Sequence, residues 1–236
     1  MNRRETLLWP KSKMGRGVET SKPGRWNWRI WRVCGRSPRG LRNAERGGWI
    51  CCSTMRVNFL SHFLLTNLLL DELKATPGAR VVHTSSGMAN SAGKIDLGNL
   101  NGEKGFSTAR FYGNSKLLQI IYSNELNRRL ETTGVISNAI HPGFIGSGIG
   151  SDVNPLLRPL RSFIMLFSSP PKDGALSVLY GAVANDVGSE TMRGGRFFFN
   201  GNEKKMPPQA EDVVLAKKIW DLAEKLTSES KQDGNQ

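Results

Sequence analysis

From Met55 onward the apolar positions of this chain alternate between two periods. A stretch at 55–75 is apolar on most faces, and so predicts a helix buried on both sides or used in a subunit contact. Pro77-Gly78 ends it, and Ala79-Arg80-Val81-Val82-His83-Thr84 predicts a short β-branched strand. A polar, glycine-containing loop runs from Ser85-Ser86-Gly87 to about Arg110. A second long helix is predicted over 111–132, with Leu117, Leu118, Ile121, Leu126 and Leu130 on its apolar side. Gly134 stops it, and a strand is expected at 135–140. Then come a loop from His141-Pro142-Gly143 to Pro159, a helix at 171–184, a short strand at 196–199 and an amphipathic helix at 210–226. Strands separated by helices of this length predict crossover units and a parallel sheet.

Length and composition agree with that picture. The 236 residues, 38% hydrophobic and 22% charged, suit one globular α/β domain able to hide roughly 70% of its unfolded surface. The charge is unevenly spread. Residues 1–50 hold 13 Lys and Arg against three acids, leaving 20 against 17 for the other 186. The pI near 10 therefore describes a basic extension, and binding of nucleic acid by the whole protein does not follow from it. The same region holds Trp9, Trp26, Trp28, Trp31 and Trp49, while Cys34, Cys51 and Cys52 make neither a disulfide framework nor a zinc spacing. That cysteine usage points to a reducing compartment, cytoplasmic or peripheral to an intracellular membrane. No secretory signal or transmembrane segment is read, because polar residues interrupt the apolar run at 57–73. The expected organisation is a basic Trp/Arg/Gly-rich extension at 1–52, a folded portion at 53–227 and a flexible tail at 228–236.

Tyr112 and Lys116 stand four apart near the start of the second long helix, so both side chains leave one face and can meet one substrate. The pair alone is common, and its ordinary reading is a surface pair. Its context makes it informative: it begins a helix 26 residues after a Ser-Ser that ends a strand, and the next strand ends in Pro-Gly.

With these blocks the chain resembles the short-chain dehydrogenase/reductase family, most closely its retinol dehydrogenase-like branch. The residues carrying the resemblance are the run Val57-Asn58-Phe59-Leu60-Ser61-His62-Phe63-Leu64, Arg80 to Ser86, Tyr112-Gly113-Asn114-Ser115-Lys116, His141-Pro142-Gly143, Asp173-Gly174-Ala175, and Gly194-Gly195-Arg196-Phe197-Phe198. The resemblance implies the C-terminal part of a Rossmann-like, doubly wound parallel sheet of the α/β class. It implies a tetrad of Asn58, Ser86, Tyr112 and Lys116. Tyr112 would exchange a proton with the substrate oxygen while a nicotinamide exchanges a hydride, and the Lys116 cation would favour the phenolate and bind the nicotinamide ribose. Ser86 would donate to the substrate oxygen, with Ser85 as an alternative, and Asn58 would position a water linking Lys116 to solvent. Against these roles stand a turn cap for Ser86 and a helix-start cap for Asn58. Pro142, Gly143 and Ser147 would line the nicotinamide amide. His62 and His141 read as packing residues.

The implied cofactor is NADP(H) or NAD(H), with NADP favoured by the resembling branch alone. The 236 residues contain no Thr-Gly-x-x-x-Gly-x-Gly turn for a pyrophosphate, so cofactor binding is expected to be impaired. The strand at Arg80 is expected to be a bare edge, which Trp26-Asn27-Trp28-Arg29-Ile30 could cover. Two functional readings remain open at this level. One is an oxidoreductase acting on a lipophilic alcohol or carbonyl; the other is a truncated, inactive relative working through protein contacts, for instance as a homodimer through its two long helices. A nucleic-acid-binding arm at 1–50 is the weaker third reading, and membrane association has no spanning segment behind it.

Overall fold

A computed structural model describes residues 55–99, 107–145, 168–188 and 194–232. A π-helical turn, Arg56–Leu60, leads into helices α1 (Ser61–Leu68) and α2 (Leu70–Ala75) and strand β1 (Arg80–Thr84). Two 3₁₀ turns, Gly87–Ser91 and Leu97–Asn99, precede the long helix α3 (Thr108–Arg129) and strand β2 (Ile136–His141). Helices α4 (Pro171–Val183) and α5 (Asn185–Gly188), strands β3 (Phe197–Phe199) and β4 (Asn202–Lys204), and helices α6 (Pro208–Glu211) and α7 (Val213–Gln232) complete the order.

The four strands lie in chain order in one sheet. β1 and β2 are parallel, with Arg80 opposite Ile136 and Thr84 opposite Ile140; β2 and β3 are parallel, with Ala139 opposite Phe197. β3 and β4 form an antiparallel hairpin that the apolar pattern did not predict. Its connection is Asn200-Gly201, both with positive φ (49° and 74°), the backbone that a tight hairpin with the right twist requires. Among the described residues β1 is an edge, as expected. The segment at 26–30 that could cover it lies outside them.

α3 starts three residues before the predicted position because the Ser107 hydroxyl accepts the Arg110 N–H at 3.5 Å, and Arg128 and Arg129 suit its C-terminal end. It crosses one face of the sheet, with Leu117, Leu118, Ile120, Ile121 and Leu126 fully buried. Beside it the rings of Phe59, Phe63, Tyr122 and Trp220 pack together, Phe63 lying 5.1 Å from both Tyr122 and Trp220. α4 covers the other face, where a Cβ on Gly181 would strike the end of the Ile140 side chain, so glycine lets the helix lie close on β2 without repacking it. The predicted first helix is broken at Leu69, which leaves helical dihedrals (φ −99°, ψ 6°). At the other end, where a loose tail is expected from residue 228, α7 continues to Gln232; Thr227 is buried there and its hydroxyl donates to the Ala223 carbonyl at 2.7 Å.

Candidate functional site

Because β1 and β2 run in the same direction, the chain segments after Thr84 and His141 emerge at one end of the sheet, the end where parallel α/β sheets bind ligands. The N-terminal turns of α3 pack there. Gly113 makes this approach close: a Cβ on it would lie 2.9 Å from the Met88 carbonyl oxygen, in the 3₁₀ turn that follows Ser86. Gly113→Ala should therefore destabilise the chain by about 1–3 kcal/mol, although helix propensity alone favours Ala over Gly by roughly 0.5–1 kcal/mol. Denaturant titration checks the sign, and a stabilised Gly113→Ala chain contradicts the packing described.

The half-buried Lys116 is tied to the strand end at two points. Its Nζ donates to the Thr84 carbonyl at 3.1 Å, and its own backbone carbonyl accepts from the Ser85 hydroxyl at 2.8 Å. Burial lowers its pKa from the ordinary lysine value, by disfavouring the charged form. The ammonium lies 5.8 Å from the centre of the half-buried Tyr112 ring. Ser85 is 2% exposed and its hydroxyl serves the helix, whereas Ser86 is less buried. Ser86 Oγ accepts the Met88 N–H at 3.3 Å, capping the turn, and a hydroxyl that accepts there still has its own proton to donate.

Asn58 sits inside the π-helical turn, a rare conformation that is frequent at functional sites. It does not cap a helix start. Its Nδ2 donates to Ser115 Oγ at 3.2 Å, and that hydroxyl donates to the Tyr112 carbonyl at 2.8 Å. Asn58 is thereby linked to the turn of α3 that carries the Tyr/Lys pair. Pro142 and Gly143 follow β2, and Gly143 has φ 98°, a left-handed backbone suited to glycine. His141 stacks on Phe199 (4.9 Å, 20°) and its Nδ1 accepts the Gly143 N–H at 3.3 Å, a packing role as read from sequence. Ser147 lies outside the described residues.

Two residues that the sequence analysis did not single out as site residues complete this region. Gln119, one turn beyond Ser115, and His83 on β1 are both buried, and His83 Nδ1 lies 3.0 Å from Gln119 Oε1. They are 36 residues apart in sequence; the spacing of Ser115, Gln119 and Ser123, a polar stripe through an apolar helix, could have flagged Gln119, but nothing local pairs it with His83. Burial pushes the His83 pKa down to about 4, since it disfavours the imidazolium. The unfolded chain, with histidine near 6.5, then binds more protons than the folded one between about pH 6.5 and 4. Stability should fall as pH drops through that window, with a slope of up to about 1.4 kcal/mol per pH unit. Denaturant midpoints measured for the wild type and His83→Asn should converge towards pH 4, and parallel curves contradict the assignment.

Residues 50–156 match the model of the short chain dehydrogenase family. Retinol dehydrogenase 14 of Mus musculus is 39% identical over 171 residues, covering 71% of this chain and 50% of that protein. Retinol dehydrogenase 13 of Mus musculus is 37% identical over 177 residues, covering 72% and 52%. The chain spans about half the length of these curated relatives. The crystal structure of an uncharacterized protein from Mycobacterium paratuberculosis superimposes with a TM-score of 0.55 at 29% identity, covering 74% of this chain and 58% of that one.

Proposed function

This chain belongs to the short-chain dehydrogenase/reductase family, in its retinol dehydrogenase-like branch, and on that premise we propose that it serves an oxidoreductase interconverting a lipophilic alcohol and its aldehyde or ketone. The observation that carries the reading is the Tyr112/Lys116 pair docked against the Ser86 turn at the C-terminal end of β1. The nicotinamide-ribose end of such a cofactor fits the residues present. Of the three Lys116 N–H donors one is spent on the Thr84 carbonyl, and the ammonium lies beside the Tyr112 ring where a ribose hydroxyl and the phenol could share it. Pro142 and Gly143 stand at the neighbouring strand end, suited to the amide edge of the ring. NADP(H) is preferred over NAD(H) through the branch alone.

When bound, the nicotinamide exchanges a hydride with the substrate carbon. Oxidation of the alcohol must also remove a proton from oxygen, and the Tyr112 phenol, as phenolate, takes it; in the reverse direction it returns it. The Lys116 ammonium supports the phenolate through a field strengthened by its partial burial. Ser86 donates its hydroxyl proton to the same oxygen as charge develops there. Asn58, through Ser115, holds the helical turn in register. The lipophilic character is supported by two exposed apolar side chains, Met88 two residues after Ser86 and Phe144 one after Gly143.

Titration of the chain with NADPH and with NADH, following nicotinamide fluorescence and thermal shift together, tests the reading. Saturable binding is expected, weakened because the 236 residues contain no Thr-Gly-x-x-x-Gly-x-Gly turn for the pyrophosphate, with stabilisation of about 2.7 kcal/mol at a hundredfold excess over Kd. A folded chain that responds to neither nucleotide overturns it.

A further inference from the structure

Gln119 occupies a position that the mechanism above does not use. Its amide is fully buried, yet all of its hydrogen-bonding groups on the nitrogen and one lone pair on the oxygen are engaged. Nε2 donates to the backbone carbonyl of Asn58 and lies 2.8 Å from His62 Nδ1; Oε1 lies 3.0 Å from His83 Nδ1. An amide nitrogen has two protons to give and no lone pair to receive one, while an amide oxygen only accepts. With one proton committed to Asn58, the other meets His62, so His62 Nδ1 must be the bare nitrogen. Oε1 in turn requires a proton on His83 Nδ1. One amide thus reads the two imidazoles in opposite tautomers, both neutral.

The surroundings agree independently. His83 Nε2 is buried with no partner among the described residues, and a bare lone pair costs less there than an unpaired N–H or a charge. The ionisable groups facing this cluster are Lys116 and Tyr122 from α3, with His62 and His83 themselves; the Tyr122 ring stands 5.0 Å from His83 at 77°. His62 keeps part of its ring to solvent, while its packed side and the Lys116 charge lower its pKa, both favouring the neutral form.

We infer that Gln119 is a positioning residue that fixes the Asn58 carbonyl and sets the two neutral imidazoles of His62 and His83 in opposite tautomers, giving Lys116 an uncharged wall. The part of this that concerns turnover rests on the function proposed above. Flipping the amide would set an N–H against the His83 Nδ1 proton and leave the Asn58 carbonyl without its donor, so the arrangement is an all-or-none unit.

The test is long-range ¹H–¹⁵N NMR of the full chain labelled at histidine, which has three to assign. At pH 7 the wild type should show His83 protonated on Nδ1 and His62 on Nε2. Gln119→Leu should lose the single His83 tautomer. Gln119→Glu, nearly isosteric but without the two N–H donors, should keep it and place a proton on His62 Nδ1. Wild-type His83 found charged or protonated on Nε2 overturns the assignment without any variant being needed, as do variant spectra matching the wild type. In turnover, both variants should lose about tenfold to a hundredfold in kcat with KM little changed, and Gln119→Glu should shift the acidic limb of the pH profile upward. Wild-type kcat in both variants overturns the positioning role. The assigned tautomers in a chain that turns over no alcohol support the hydrogen-bond unit and count against the proposed function alone.

Discussion

Tyr112→Phe should lower kcat by about 10²–10⁴-fold, the contribution of a positioned general acid/base, while leaving the unfolding midpoint where it is. The phenol ring is half-buried at the start of α3, and what anchors that turn lies elsewhere: Ser85 and Thr84 hold Lys116, and Ser115 holds the Tyr112 carbonyl. Removing the hydroxyl would therefore take away the proposed proton carrier without touching the bonds that place the helix. The loss corresponds to roughly 3–5 kcal/mol of transition-state stabilisation. Lys116 cannot substitute, because its ammonium is directed to the Thr84 carbonyl and beside the ring. Single-turnover rates of the two chains at equal occupancy check this. Equal rates would remove the mechanism.

Phe63→Ala is the second large effect, and it falls on stability. Phe63 is 1% exposed and its ring centre lies within 6.3 Å of Phe59 and 5.1 Å of Tyr122 and of Trp220. The cluster joins the π-helical turn, α1, α3 and α7, so a cavity there cannot be closed by moving one element. The expected cost is about 3–5 kcal/mol, a large part of the 5–15 kcal/mol available to a typical domain. Leu176→Ala, at a position 53% exposed on α4, should stay within about 0.5 kcal/mol. Denaturant midpoints with unchanged slopes test both. A Phe63→Ala chain as stable as Leu176→Ala would contradict the core described here.

Much of this architecture was legible in the sequence, for physical reasons that differ between elements. β1 and β2 were readable because β-branched runs bounded by Pro-Gly and Gly have few alternatives, and α3 because Leu118, Ile121, Leu126 and Leu130 fall on one side at the helical period. The β3–β4 hairpin was missed although its signal, Asn200-Gly201, stands in the chain; the charged Asn202-Glu203-Lys204 strand has no apolar face to announce it. The break at Leu69 left no trace, since leucine continues across it. Of the candidate site, Tyr112 and Lys116 were visible through their spacing, and Asn58 and Ser86 through resemblance. That Ser85 turns inwards to Lys116, and that Gln119 joins His62 to His83, depends on contacts 31 to 57 residues apart, which no local pattern encodes.

The central claim is that this chain's Tyr112 and Lys116 site moves a hydride and a proton between a nicotinamide and a lipophilic substrate. It is tested most directly by incubating the chain with NADPH deuterated at the transferable position and a long-chain aldehyde, and following deuterium by mass spectrometry. Deuterium on the carbinol carbon of the alcohol, formed by the wild type and lost in Tyr112→Phe, is the predicted result. Unlabelled alcohol, no alcohol, or equal labelling by the two chains would contradict it.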